Sequence, residues 1–197
     1  GRALWSRPHR YCTSSWSANI TRQSAGRSRF QNASFPGATL PPGQLAANTL
    51  SILANVKAGD HILVTDSAYG PVRHFCDTLL KGYGVETDYY PPRIGAGIAA
   101  LIKPNTSCIL MESPGSLSME IQDLPAIVKL AKDRKITTIV DNTWSAGLVY
   151  NPLELGADIA VHAATKYYSG HSDVLYGAIV SRTKAGANRV DRANKAL

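Results

Sequence analysis

The sequence predicts an α/β domain: a mostly parallel sheet with helices on both faces. Three observations carry that reading. Short strand-like runs alternate with helical runs between residues 45 and 182, as strand–helix–strand units do when they wind onto one sheet by right-handed crossovers. Several strand runs, such as "HILVTD" (61–66) and "SCILMES" (107–113), are largely apolar, as buried strands are. No internal repeat and no run of 18 apolar residues occurs, so neither a repeat array nor a transmembrane helix is expected.

The elements follow in order. Leu45 to Val56, "LAANTLSILANV", reads as a helix, and Gly59 in the next turn is placed to end it, since glycine accepts the left-handed C′ conformation. "HILVTD" is a short strand. "VRHFCDTLLKGYG" (72–84) is amphipathic, with Val72, Phe75, Cys76, Leu79 and Leu80 on one helical face and Gly82 and Gly84 closing it. "VETDYY" (85–90) reads as a strand and "GIAALI" (97–102) as a short helix before Pro104. After the strand at 107–113, "DLPAIVKLAKDRK" (123–135) is a helix with Asp123 as N-cap and Pro125 in its first turn. "ITTIVDN" (136–142), "DIAVHAA" (158–164) and "YGAIVSR" (176–182) are further strands.

The 197 residues suffice for one domain with a sizeable core. The formal charge of +7 comes from residues 1–59, which hold six arginines and Lys57 and no acid. The remainder is balanced, and no nucleic-acid motif accompanies the charge, which a nucleic-acid binder would spread over a folded face. Residues 1–39 are rich in Arg and Ser without a sustained period. They share that composition with organellar transit peptides. Lacking an obvious cleavage signal, they read rather as a noncognate or disordered leader before a domain over 40–197. Three scattered cysteines, Cys12, Cys76 and Cys108, suggest neither a disulfide framework nor a zinc site. Cys76 and Cys108 are expected as reduced core residues.

Ligands of open α/β sheets bind at the carboxyl ends of the strands. Tyr69 follows the first such end, Asp141 closes "ITTIVDN", and Lys166 follows "DIAVHAA". Each has an ordinary reading: a rim aromatic, a strand-end cap and a solvated amine. Together they suit a pyridine ring, which needs an amine for a Schiff base, a carboxylate at its nitrogen and a flat face against it. A phosphate would need backbone N–H donors at a helix start, and "LPPGQLAAN" (40–48) sets a Pro-Gly turn there, around Gly43 and Gln44. Thr165 adds a hydroxyl beside the lysine. Trp144 reads equally as a site wall or a core aromatic. His171 and Asp173 are one His and one Asp without further ligands, so no metal site is expected.

Three segments carry a wider resemblance: "MESPGSLSMEIQDLPAI" (111–127), "VDNTWSAG" (140–147) and "GADIAVHAATKYYSGHSDVLYGAIVS" (156–181). Over residues 40–197 the chain resembles the Cys/Met-metabolism family of pyridoxal 5′-phosphate (PLP) enzymes. The resemblance implies the large domain of the fold type I, PLP-dependent transferase-like architecture, without its smaller C-terminal domain. It implies a Schiff base between Lys166 and PLP, Asp141 at the pyridinium nitrogen, and Tyr69 stacked on the ring and assisting proton movement. It places Thr165 and the backbone around Gly43 and Gln44 at the phosphate. The implied reaction is β-elimination of cystathionine to homocysteine, pyruvate and ammonia. The alternatives are a γ-acting member of the family and a truncated, silent fragment. Ser116 in "ESPGS" favours the β-acting branch, since γ-acting members usually carry Asn there. The resemblance also implies an amino-acid thioether substrate, a homodimer or homotetramer, and a cytoplasmic setting. Two departures stand out: the family's Ser-Gly or Cys-Gly at the phosphate turn is replaced by "PPGQ", and its Tyr-x-Arg segment has no match in residues 1–39.

Overall fold

The computed structural model describes residues 37–196. The strands are β1 (Gly37–Thr39), β2 (His61–Thr65), β3 (Glu86–Tyr90), β4 (Thr106–Glu112), β5 (Thr137–Asp141), β6 (Ile159–His162) and β7 (Ala178–Ser181). The α-helices are α1 (Gln44–Leu53), α2 (Gly70–Phe75), α3 (Leu124–Asp133) and α4 (Lys184–Ala196). The strands form one sheet in the order β1-β7-β6-β5-β4-β2-β3. Neighbours from β3 to β6 run parallel, while β7 is antiparallel to both β6 and β1. The reversal has a local cause. No helix separates β6 from β7, and without a crossover a strand returns beside its predecessor antiparallel.

Two apolar layers cover the sheet, set by the two-residue period of the strands. Ile62, Val64, Cys108, Leu110, Ile139, Ile159 and Val161 pack with α1, α2 and α4. Leu63, Ile109, Met111 and Val140 face the opposite way, towards α3 and a 3₁₀ turn at Gly95–Leu101. Each fully buried Leu or Ile contributes roughly 1.5–3 kcal/mol. The same alternation puts Glu112 and Asp141, two residues beyond Leu110 and Ile139, on the α1 side. The two acids are register partners across β4 and β5. Cys76 and Cys108 are free and buried, as expected, and burial raises the Cys76 thiol to about 12.

The sequence and the structure differ at four places. Residues 72–84 were expected as one α-helix; α2 instead passes into a π-helical turn at Cys76–Leu80. Of residues 97–102, expected as a short helix, 97–101 fall in the 3₁₀ turn and Ile102 is already extended. β1 pairs with β7 through Gly37–Thr39, so the sheet takes in three residues that had read as leader. The rest of that leader, residues 1–36, lies outside the described residues. α4 was not foreseen, because a helix that buries only Gly186 and Val190 has almost no apolar stripe to read. Asp123 caps α3 as expected, accepting from the Ala126 N–H at 3.1 Å.

Candidate active site

The loops after β2, β4, β5 and β6 leave the sheet on one side and meet around a cavity of about 260 Å³. Asp141, Lys166, Tyr69 and Gln44 all line it, together with Trp144 and Tyr167. The three strand-end residues singled out from the sequence are therefore brought together. Gly43 and Thr165 are not in that wall. Gly43 is the N-cap of α1 at φ +98°, and its N–H donates to the Pro41 carbonyl at 2.9 Å. The Thr165 hydroxyl is occupied by one backbone: it donates to the Tyr176 carbonyl and accepts from the Tyr176 N–H, both at 3.0 Å. Trp144 is half exposed at the cavity, a wall and not a core residue.

Asp141 is buried, and a buried carboxylate requires donors. It has four. Gln44 Nε2 and Asn48 Nδ2, both from α1, donate to Oδ2 at 2.8 Å each. The Thr143 N–H and Oγ1 donate to Oδ1 at 3.0 and 2.5 Å. The Thr143 hydroxyl also accepts the Ala163 N–H at 2.8 Å. One hydroxyl thus ties the carboxylate to the loop that carries Lys166. That loop is closed by its own backbone: Lys166 N–H donates to Ala163 O, and Gly170 N–H donates to Lys166 O, each at 2.9 Å. Tyr168 Oη donates to the Ala146 carbonyl at 3.0 Å. The lysine side chain is exposed to the cavity on a fixed support.

Three further groups were not singled out as site residues from sequence. Asn48 sits one helical turn beyond Gln44, where an Asn mid-helix gives no signal until its partner is known. Glu112 lines the cavity and is nearly buried. Desolvation, and then the charge of Asp141, push its carboxyl up to about 7. His162, at the end of β6, is buried with its ring edge-on to Tyr168 at 5.2 Å. Burial drives it down to about 4, against the opposing pull of Asp141, so it is a neutral imidazole at neutral pH. His171 bonds its own loop, with Nδ1 2.6 Å from the Ser169 carbonyl. Among the described residues no cluster of three or more His, Cys, Asp or Glu side chains is placed to hold a metal ion. Nor, among them, is any helix long and apolar enough to cross a membrane.

Comparison with known proteins shows what the chain is similar to. Residues 31–197 match the family described as Cys/Met metabolism PLP-dependent enzyme. A Rhizobium johnstonii protein with the provisional name cystathionine beta-lyase is 50% identical over 161 residues, 82% of this chain and 40% of its own length. An L-alanine/L-glutamate racemase of Wolbachia pipientis is 43% identical over 144 residues, 73% of this chain and 35% of its own length. The crystal structure of cystathionine gamma-lyase from Lactobacillus plantarum, complexed with L-serine, superposes with a TM-score of 0.80 at 31% identity. It covers 91% of this chain and 44% of that one. The chain thus spans about two fifths of the length of the relatives it matches. It belongs to the Cys/Met metabolism family of PLP-dependent enzymes.

Proposed function

We propose that these residues are the cofactor-binding core of a carbon–sulfur lyase of the cystathionine β-lyase type. The observation that carries the reading is the convergence of Lys166, Asp141 and Tyr69 on one cavity at the carboxyl ends of the strands. The residues present fit PLP: an exposed amine, a buried carboxylate already furnished with donors, and an aromatic ring share one wall. Gln44 donates to Asp141 from the cavity side, so its amide is the donor a ring N–H would replace. Gly43, Gln44 and Thr165 are assigned to the phosphate at the start of α1, whose first turn holds no acid to repel it. Thr165 donates there only after releasing the Tyr176 carbonyl.

When bound, PLP supplies an aldehyde that condenses with amines and a cationic ring that takes up electrons. The chain's own residues then divide the work. Lys166 Nζ would hold the cofactor, and as a free amine it would take the proton from the substrate Cα. Asp141 would keep a proton on the ring nitrogen, with Asn48 and Thr143 fixing its orientation. Tyr69 presents a flat face and a hydroxyl. Loss of the Cα proton sets up cleavage of the Cβ–S bond, releasing a thiol and, after hydrolysis, pyruvate and ammonia.

A second reading is favoured by the racemase relative, because racemisation begins with the same proton transfer. Purified protein with PLP, given cystathionine and, separately, L-alanine, separates the two. Equal amounts of free thiol and pyruvate support the lyase. L-Alanine converted to the racemate with no pyruvate overturns it in favour of racemisation. Bound PLP with neither product marks these residues as a silent core that needs the remainder of a longer chain.

A further inference from the structure

Glu112 is the one acid in the cavity wall to which the proposed chemistry assigns no task. It ends β4, on the α1 side of the sheet. Its carboxylate reaches two loops at once. Oε2 accepts the backbone N–H of Tyr69 at 2.8 Å, and Oε1 accepts the hydroxyl of Ser116 at 2.5 Å. Tyr69 is the N-cap residue of α2, at a backbone conformation outside the helix. Its own N–H finds no backbone acceptor in the turn, and Glu112 supplies one. The turns around Tyr69 and Ser116 also pack without a gap. A Cβ at Gly115 would stand 2.5 Å from the Ser67 Cβ, so only glycine lets the two loops approach this closely.

We propose that Glu112 is a positioning residue: its carboxyl fastens the Tyr69 turn to the Ser116 loop and so sets the pose of the Tyr69 ring against a planar ligand in the cavity. The proposal rests on the PLP reading for the identity of that ligand, while the clamp itself needs no ligand. The groups around Glu112 decide its charge. Asp141 on β5 is its cross-strand partner and repels a second negative charge. Lys166, on the loop after β6, lines the same cavity. The Tyr150 hydroxyl donates to the Ser113 carbonyl next in sequence. Asp141 has four donors and Glu112 two, so a proton entering this pair settles on Glu112. Its rise to about 7 agrees with that geometry.

The test uses the full chain, labelled with ¹⁵N, without cofactor. The Tyr69 amide resonance shifts through neutral pH in the wild type. The shift is absent in Glu112→Gln, which can still accept that N–H. Asp141→Asn lowers the midpoint by removing the neighbouring charge. Glu112→Ala exchanges the Tyr69 amide at least about tenfold faster, the size expected for losing a bond to a charged acceptor, and Glu112→Gln restores it. A Tyr69 amide indifferent to pH over the whole range in which the wild type stays folded overturns the proposal. So does equal Tyr69 exchange in the Ala and Gln variants. Should the Ala variant not fold, the wild-type and Gln titrations decide alone. Titration with PLP separates the two claims. Weaker PLP binding in the Ala variant than in the Gln variant supports the clamp. PLP binding equal in all variants overturns the clamp and leaves the cofactor reading standing. No PLP binding in any variant, with the Tyr69 titration as stated, removes the cofactor reading and leaves the clamp.

Discussion

Replacing Asp141 tests whether the carboxylate is built into the core or merely set upon it. Asp141→Ala removes the acceptor from Asn48 Nδ2 and from the Thr143 N–H, both of which point at it. Each buried donor left without a partner costs about 1–3 kcal/mol. Gln44 and the Thr143 hydroxyl reach the cavity and find water. The Ala variant is therefore less stable by about 2–6 kcal/mol. Asp141→Asn behaves differently. Its amide oxygen can take the Oδ1 place, facing the Thr143 N–H. Its NH₂ then faces Gln44 and Asn48, whose side-chain amides can turn to offer oxygen instead. The Asn variant loses at most about 1 kcal/mol, since both partners of each bond are re-matched. On the proposed reading it also no longer holds a positive ring nitrogen, so its PLP affinity falls while its fold persists. Urea unfolding of the three proteins measures the stabilities. An Ala variant as stable as the wild type, or an Asn variant as damaged as the Ala variant, would refute the donor cage.

The buried ionisable groups and the close-packed glycines set further expectations. His162 is held neutral, at about 4 against an ordinary 6.5. As pH falls the unfolded chain takes up the proton first, so stability declines from about 6.5 and levels off below about 4, by roughly 3 kcal/mol at most. His162→Gln removes that decline in unfolding midpoints measured across the acid range. Glu112 acts oppositely. Its raised value favours the folded state below 4.5, and that contribution fades as pH rises through about 7. Glu112→Gln therefore gains stability relative to the wild type on the alkaline side. A Cβ at Gly177 would stand 2.8 Å from the Ala47 Cβ. Gly177→Ala thus displaces the start of α1, costs about 1–3 kcal/mol by overpacking, and weakens PLP binding more than a surface Gly82→Ala control. Gly82 has nothing within 4 Å of the place its Cβ would take.

The parallel sheet and the position of its site were legible because apolar strand runs end in chemically distinct residues. Tyr69, Asp141 and Lys166 each follow such a run, and the carboxyl-end rule gathers them before any coordinates are known. Asn48 was hidden for the opposite reason. Its partner is 93 residues away, and the packing of α1 on β5 alone brings them together. Glu112 looked like the tail of an apolar strand, and only the register opposite Asp141 gives it a role. β1 is too short to show a period, and α4 buries too little to show a stripe. The π-helical turn after α2 keeps the amphipathic pattern of a helix, so the pattern could not separate the two. The "PPGQ" turn read as a departure at the phosphate. In the structure its glycine supplies the positive φ at the helix start, and its glutamine turns towards Asp141 and not away from the site.

Trapping of PLP by borohydride, followed by peptide mass mapping, reads out whether Lys166 holds the cofactor. Five lysines besides Lys166 lie between residues 57 and 132, at 57, 81, 103, 129 and 132, and they serve as internal controls. One stable adduct is expected, on Lys166, which fails to form in Lys166→Ala and is weakened in Asp141→Asn. No adduct, or an adduct spread over the surface lysines with Lys166 unmodified, would contradict it.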